Sequence, residues 1–186
     1  MIVSYCTTCH DRLWQLKRTI NHNLSYTKTG IAEICVLVYN DLASFNYLSD
    51  NYAAYIKAGR LRLLHHIENK VFNDGSRWSC GYVKHLAHGM AHGRVLFNLD
   101  ADNFIDDDLH AALLVLQPNE LIITKQSQCL PDGRSGRVGV HSELYGKVIY
   151  RDRGRADDGD FIAQCLKHKV KIKQIPCYHK PIANHC

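Results

Sequence analysis

The chain has 186 residues, which suits one domain of ordinary size with a core of its own. Apolar residues make up 46% and charged residues 22%, so a disordered chain is excluded. The formal charge of +5 favours anionic partners only weakly, because the basic residues are scattered. No basic run points to nucleic acid, and phosphate-bearing small ligands fit at least as well. Eight cysteines is a high count, yet the chain is too long and too rich in core residues for a compact disulfide framework. No stretch approaches the ~20 apolar residues of a membrane helix. The opening "MIVSYC" is too short for a signal peptide, so we expect a protein of the reducing cytoplasm.

Taken in chain order, "MIVSYC" is apolar and rich in β-formers, which predicts a first strand. "RLWQLKRTI" puts Leu13, Leu16 and Ile20 on one helical face. "EICVLVYN" is a near-continuous apolar run, the pattern of a strand buried on both faces. Leu48, Tyr52, Tyr55 and Ile56 repeat with helical spacing up to Gly59, and "LRLLHHI" predicts a third strand. Val83, Leu86, Ala87, Met90 and Ala91 mark an amphipathic helix that Gly93 is placed to stop. "RVLFNL" is a fourth strand, Asp106 to Asp108 open a helix with Leu109, Ala112, Leu113 and Leu116, and "ELIIT" is a fifth strand. "KQSQCLPDGRSGRVGV" reads as a long loop, "DFIAQCLKHK" as a short helix and "VKIKQI" as a half-exposed strand ended by Pro176. Alternation of strand and helix predicts an α/β fold, with a mostly parallel central sheet and helices on both faces. Ligands of such sheets bind at the carboxyl ends of the strands.

The stretch most informative about chemistry is "RVLFNLDADNFI". A buried strand runs straight into Asp100 and Asp102, where an open sheet holds its ligand. Two hard oxygen donors suit Mg²⁺ or Mn²⁺, which take one or two carboxylates plus substrate phosphates. A plain polar turn after a strand uses the same residue types.

Three segments resemble, in order, the family 2 glycosyltransferases and their relatives with the GT-A fold. "YVKHLAHGMAHGRVLFNLDADN" follows the family's helix, strand and Asp-x-Asp motif, with His85 where Asn is frequent. "VSYCTTCHDRLWQLKRTI" is similar to the first strand, turn and helix, and "RADDGDFIAQCLKHKVKI" to the acidic segment, helix and strand near the C-terminus. The resemblance implies one domain, with residues 1–125 binding a nucleotide sugar and residues 126–186 serving acceptor and catalysis. It implies a metal on Asp102, with Asp100 nearby, bridging the donor's diphosphate, and His179 or else His185 completing that site. Lys84 would meet the nucleotide or its phosphates, or else be a solvated lysine. Thr7, Thr8 and Arg12 (or Asp11) would face the donor, and Asn40 and Asp41 would read the base or cap a turn. Asp158, with Asp157 next, would be the general base of an inverting enzyme, although acids at a helix N-terminus are also favoured by its free N–H groups. Asp106 to Asp108 we read as capping alone. The loop from Gln126 to Val140 would lie over donor or acceptor and exclude water. A UDP-sugar is the donor class the resemblance favours. The acceptor would be a glycan or another hydroxyl compound, held by the loops, a partner protein or a second copy.

The run "CTTCH" at Cys6 to His10 matches a haem-attachment pattern and half of a zinc site. Cys177, His179, His185 or Cys186 would have to supply the other half, without standard spacing. A non-catalytic zinc or nucleotide-sugar binding module is therefore one alternative. A nucleotidyltransferase is the other, though "CTTCHDR" lacks the Gly-rich loop such enzymes carry after the first strand.

Overall fold

The structure, a computed structural model, describes residues 1–125, 134–153 and 156–182. Its elements run β1 (Val3–Cys9), α1 (Leu13–Ser25), β2 (Ala32–Tyr39), α2 (Leu42–Asn51), α3 (Ala53–Lys57), β3 (Leu61–His66), α4 (Cys80–Gly89), β4 (Val95–Asn98), α5 (Asp107–Leu114), β5 (Glu120–Lys125), β6 (Arg134–His141), α6 (Ser142–Tyr145), α7 (Asp157–Lys167) and β7 (Lys171–Pro176). The strands form one seven-stranded sheet in the order β3-β2-β1-β4-β6-β5-β7. Pairs β1–β2, β2–β3, β1–β4 and β5–β7 are parallel, and β6 runs antiparallel to β4 and β5. The sheet is mostly parallel, as expected, and is covered on both faces.

Strand alternation sorts the core. Val3, Tyr5 and Cys9 of β1, Ile34, Val36 and Val38 of β2, and Val95 and Phe97 of β4 face one way. They pack on Leu16, Ile20 and Leu24 of α1 and on Leu109 and Leu113 of α5. Cys6, Cys35, Leu37 and Tyr39 face the other way, onto Val83 and Ala87 of α4. Farther along that face, Leu96, Leu121, Ile123, Val138 and Val140 meet Phe161, Ile162 and Cys165 of α7. All eight residues of β2 are buried, which is why its sequence is apolar apart from Glu33, whose carboxylate accepts from the Ser4 hydroxyl at 2.6 Å.

Three expectations need correction. The helical repeat before Gly59 is two helices, α2 and α3, broken at Tyr52 (φ −121°, ψ 18°). Gly93 does not stop α4, which ends at Gly89 with Met90 as its C-cap. Gly93 instead sits against β1, where an added Cβ would lie 2.6 Å from the Ser4 amide nitrogen. The segment read as one long loop contains β6, whose glycines hide its strand character, while residues 126–133 lie outside the described residues.

Candidate active site

The strand order reverses at β1: β2 and β3 lie to one side and β4 to the other. At that switch point the carboxyl ends of neighbouring parallel strands diverge and leave a crevice. A cavity of about 450 Å³ lies there, lined by Thr8 and His10 from the end of β1, Arg12, Trp78, Cys80 and Lys84 of α4, Asp100 to Asp102 after β4, and Asp157 and Asp158 of α7. Seven of the residues singled out from sequence, Thr8, Arg12, Lys84, Asp100, Asp102, Asp157 and Asp158, thus share one cavity.

The Asp100–Asp102 turn is held by α1. Gln15, Thr19 and Asn23 recur every four residues and form a buried polar stripe on that helix. Thr19 Oγ1 donates to the Ala101 carbonyl at 2.8 Å. Asn23 Nδ2 donates to the Asn103 carbonyl at 2.9 Å, and Asn23 Oδ1 accepts from the Ile105 amide at 2.9 Å. Gln15 Nε2 donates to the Ile182 carbonyl at 2.9 Å, and the Ile182 amide donates to the Asp102 carbonyl at 2.9 Å. Within the turn, Asn98 Nδ2 donates to Asp100 Oδ1 at 3.1 Å and Asn103 Nδ2 to Asp102 Oδ1 at 2.8 Å. Burial, reinforced by the charge of Asp100, raises the Asp102 carboxyl above its ordinary value.

Across the cavity, Lys84 is neither solvated nor free. Its side chain is 3% exposed, and Nζ lies 2.7 Å from Asp158 Oδ1 and 2.9 Å from Asp157 Oδ2. The first contact is a hydrogen bond, and the second is an ion-pair contact without hydrogen-bond alignment. Burial pushes the Asp158 carboxyl up to about 7, against the pull of Lys84 and with the push of Asp100 and Asp157. Lys84 itself is held well above the usual lysine range, because the carboxylates, Asp100 and Asp158 foremost, outweigh its own desolvation.

The other singled-out residues lie elsewhere. Thr7 is buried on the opposite face of β1 from Thr8. Asn40, at φ +49°, accepts from the Glu68 amide at 2.9 Å and donates to the Glu68 carbonyl at 3.0 Å. It lines a second cavity of about 450 Å³ with His10, Ile67, Glu68, Asn69 and Arg77. Asp41 caps α2 by accepting from the Ser44 amide at 3.0 Å, and it also accepts from the Asp11 amide at 3.2 Å. His179 is outside the cavity lining and pairs through Nδ1 with Asp106. Asp106 is no plain cap: its side chain makes no capping bond to α5 and instead accepts from His179, from Cys177 Sγ at 3.2 Å and from the Tyr178 amide at 3.3 Å. His185 lies outside the described residues. Among the described residues, no group of three or more His, Cys, Asp or Glu side chains converges as a metal site.

"CTTCH" finds its explanation in β1. A spacing of three on a strand puts Cys6 and Cys9 on opposite faces, in different hydrophobic clusters, each fully buried. They cannot form half of one zinc site. His10 lies at the cavity rim, stacked on Trp78 with ring centroids 5.0 Å apart and planes 9° apart, and its Nδ1 lies 2.8 Å from the Tyr39 carbonyl. Sequence reasoning missed this pair, since nothing in "SRWSCG" marks Trp78 as the partner of a histidine sixty-eight residues away.

No protein-family model matches the chain, and no curated protein does. Solved structures do. A mannosyltransferase from Pyrobaculum calidifontis in complex with GDP-Man and Mn²⁺ has TM-score 0.68 at 12% identity, over 94% of this chain and 54% of that one. Glucosyl-3-phosphoglycerate synthase from Mycobacterium tuberculosis, in complex with UDP, has TM-score 0.69 at 13% identity, over 100% of this chain and 73% of that one. A nucleotidyl transferase from Methanothermobacter has TM-score 0.62 at 11% identity, over 96% of this chain and 88% of that one. This chain thus spans little more than half of the mannosyltransferase. Taken with the strand order and the acid-lined crevice, these likenesses establish that the chain has the GT-A fold of nucleotide-diphospho-sugar transferases.

Proposed function

We propose that the chain is a metal-dependent glycosyltransferase, moving a sugar from a nucleoside-diphosphate sugar to an acceptor hydroxyl. One observation carries this: Asp100 and Asp102 share a switch-point cavity with Asp157 and Asp158. Four carboxylates there face two cations, Arg12 and Lys84, an environment that repels a diphosphate unless a divalent ion accompanies it. Asp100 and Asp102 fit Mn²⁺ or Mg²⁺, which take one or two carboxylates and fill their remaining positions with phosphate oxygens and water. The raised Asp102 carboxyl points the same way, since a bound cation would offset the cost of holding that charge beside Asp100. When bound, the ion neutralises charge on the departing diphosphate. The GDP-Man and Mn²⁺ of one structural neighbour and the UDP of another support this reading.

The chain's own side chains do the rest. Thr8 and Arg12 lie beside the donor, and Asn40 in the second cavity meets its base. Thr7 acts only through backbone placement, Asp41 through the hold of its carboxylate on the Ser44 and Asp11 amides, and His179 reaches the metal only if it leaves Asp106. Asp158 accepts the proton of the acceptor hydroxyl as that oxygen bonds to the anomeric carbon. The bond from that carbon to the diphosphate oxygen breaks, through an oxocarbenium-like transition state, and the configuration inverts. A UDP-sugar is the favoured donor, and a glycan or other hydroxyl compound the acceptor, held by the loops, a partner protein or a second copy. The six described cysteines are free thiols, which suits a reducing cytoplasm. Among the described residues no helix is long and apolar enough to cross a membrane.

The test is a panel of UDP- and GDP-sugars incubated with Mn²⁺ and either wild type or Asp102→Ala. The expected result is slow hydrolysis of one donor, releasing nucleoside diphosphate, and loss of that release in the variant. A nucleotidyltransferase shares the fold and would instead release pyrophosphate from a nucleoside triphosphate. The glycine-free turn "CHDR" after β1 disfavours it.

A further inference from the structure

We infer that Lys84 is a positioning residue for Asp158 and not a ligand of the donor's phosphates; this role rests on the glycosyltransferase reading. Lys84 sits in the second turn of α4, and its partners are in α7, seventy-three and seventy-four residues along the chain. The two helices are clamped together around the ion pair. Ser79, the N-cap of α4, donates from its hydroxyl to Asp152 Oδ1 at 2.7 Å. Gly81 has no side chain to hold the helices apart: an added Cβ would lie 1.9 Å from the Arg151 carbonyl oxygen and 3.1 Å from Asp157 Cβ. The Tyr150 ring lies under Lys84, its centroid 5.4 Å from Nζ, and stacks on Phe161 of α7 at 4.1 Å and 6°.

An ammonium has three N–H donors, all within a small sphere about Nζ. Here two carboxylates occupy that sphere, and the side chain that carries it is 3% exposed. A diphosphate that drew Nζ out of this pair would strand Asp157, whose own side chain is only 6% exposed. A buried carboxylate without its counter-ion is costly, so the pair resists that exchange. Lys84 engages Oδ1 of Asp158, which leaves Oδ2 for an acceptor hydroxyl. The lysine thereby fixes which oxygen of the base is presented and in what orientation. Asp157 holds the lysine from behind.

The test separates turnover from donor binding in Lys84→Gln, Lys84→Arg and Asp157→Asn. Turnover is the hydrolysis rate of the sugar nucleotide that wild type cleaves, and binding is the affinity for UDP with Mn²⁺ by calorimetry. The expected result for Lys84→Gln is a fall in kcat of about a hundredfold, with UDP affinity within about twofold of wild type. Lys84→Arg, which keeps the charge but not the point-like geometry, should recover part of kcat. Asp157→Asn should lower kcat without weakening UDP, and it carries the test if Lys84→Gln fails to fold. A loss of UDP affinity of about tenfold or more in a folded variant, or an unchanged kcat, would overturn the role. Wild-type protein that neither binds UDP with Mn²⁺ nor cleaves any donor would overturn the proposed function and this role with it.

Discussion

Ile182 and Asp102 are joined main chain to main chain: the Ile182 amide donates to the Asp102 carbonyl at 2.9 Å, and Gln15 Nε2 holds the Ile182 carbonyl at 2.9 Å. The tail after β7 is therefore part of the mounting of the candidate metal-binding turn. Gln15 is fully buried, so Gln15→Leu leaves the Ile182 carbonyl without this donor. We expect a loss of stability of about 1–3 kcal/mol, read by urea unfolding. Mn²⁺-dependent UDP binding should weaken as well, because the turn loses one of its supports. Unchanged stability and binding would show that the tail is incidental to the site.

Gly81 and Gly89 lie in one helix and make opposite predictions. At Gly81 a methyl group meets the Arg151 carbonyl oxygen at 1.9 Å, whereas at Gly89 nothing lies within 4 Å. Gly81→Ala should cost about 1–3 kcal/mol and lower turnover, because α4 and the segment before α7 must separate. Gly89→Ala should be neutral or stabilising by up to about 1 kcal/mol. Equal melting temperatures for the two variants would contradict the close approach of the helices.

The pH dependence of turnover follows from Asp158. Burial holds its carboxyl up at about 7. The proton-accepting form therefore accumulates only above that pH, and kcat should rise through about 7 and level off. A rate already flat from pH 5 upward would remove Asp158 from the role of base.

His88 governs stability in acid. It is buried, its Nδ1 lies 2.8 Å from the Lys84 carbonyl, and its ring stacks on Tyr145. Burial lowers its pKa to about 4 from 6.5. The folded state thus binds fewer protons than the unfolded state between those values. The stabilisation is complete above pH 6.5 and is lost as pH falls toward 4, by at most roughly 1.4 kcal/mol for each pH step of one across that interval. His88→Phe keeps the ring and removes the titration, so its melting temperature should fall less than that of wild type between pH 7 and 4. The comparison isolates the imidazole, because the raised Asp158 carboxyl contributes a slope of opposite sign in both proteins. Parallel curves would show that His88 is not held neutral.

Local pattern made much of the fold legible. The near-continuous apolar run of β2 and the strand leading into Asp100 state their burial in one dimension. β6 was hidden because Gly136 and Gly139 mimic loop composition, while its pairing with β4 and β5 is a long-range fact. The stripe of Gln15, Thr19 and Asn23 was visible as spacing, yet polar residues on a helix ordinarily face water, and what they grip comes about eighty residues later for Thr19 and Asn23 and 167 later for Gln15. Asp106 looked like a helix cap by position, but its carboxylate is taken by the tail. The partners of Lys84 could not be read at all, since only the packing of α4 on α7 brings them together.

The most direct test of the central claim is calorimetric titration of UDP into wild type and Asp102→Ala, each with Mn²⁺ and with chelator. We predict binding to wild type that requires Mn²⁺ and disappears in the variant. UDP binding that survives both the chelator and the loss of the Asp102 carboxylate would contradict a metal-assisted donor site in this crevice.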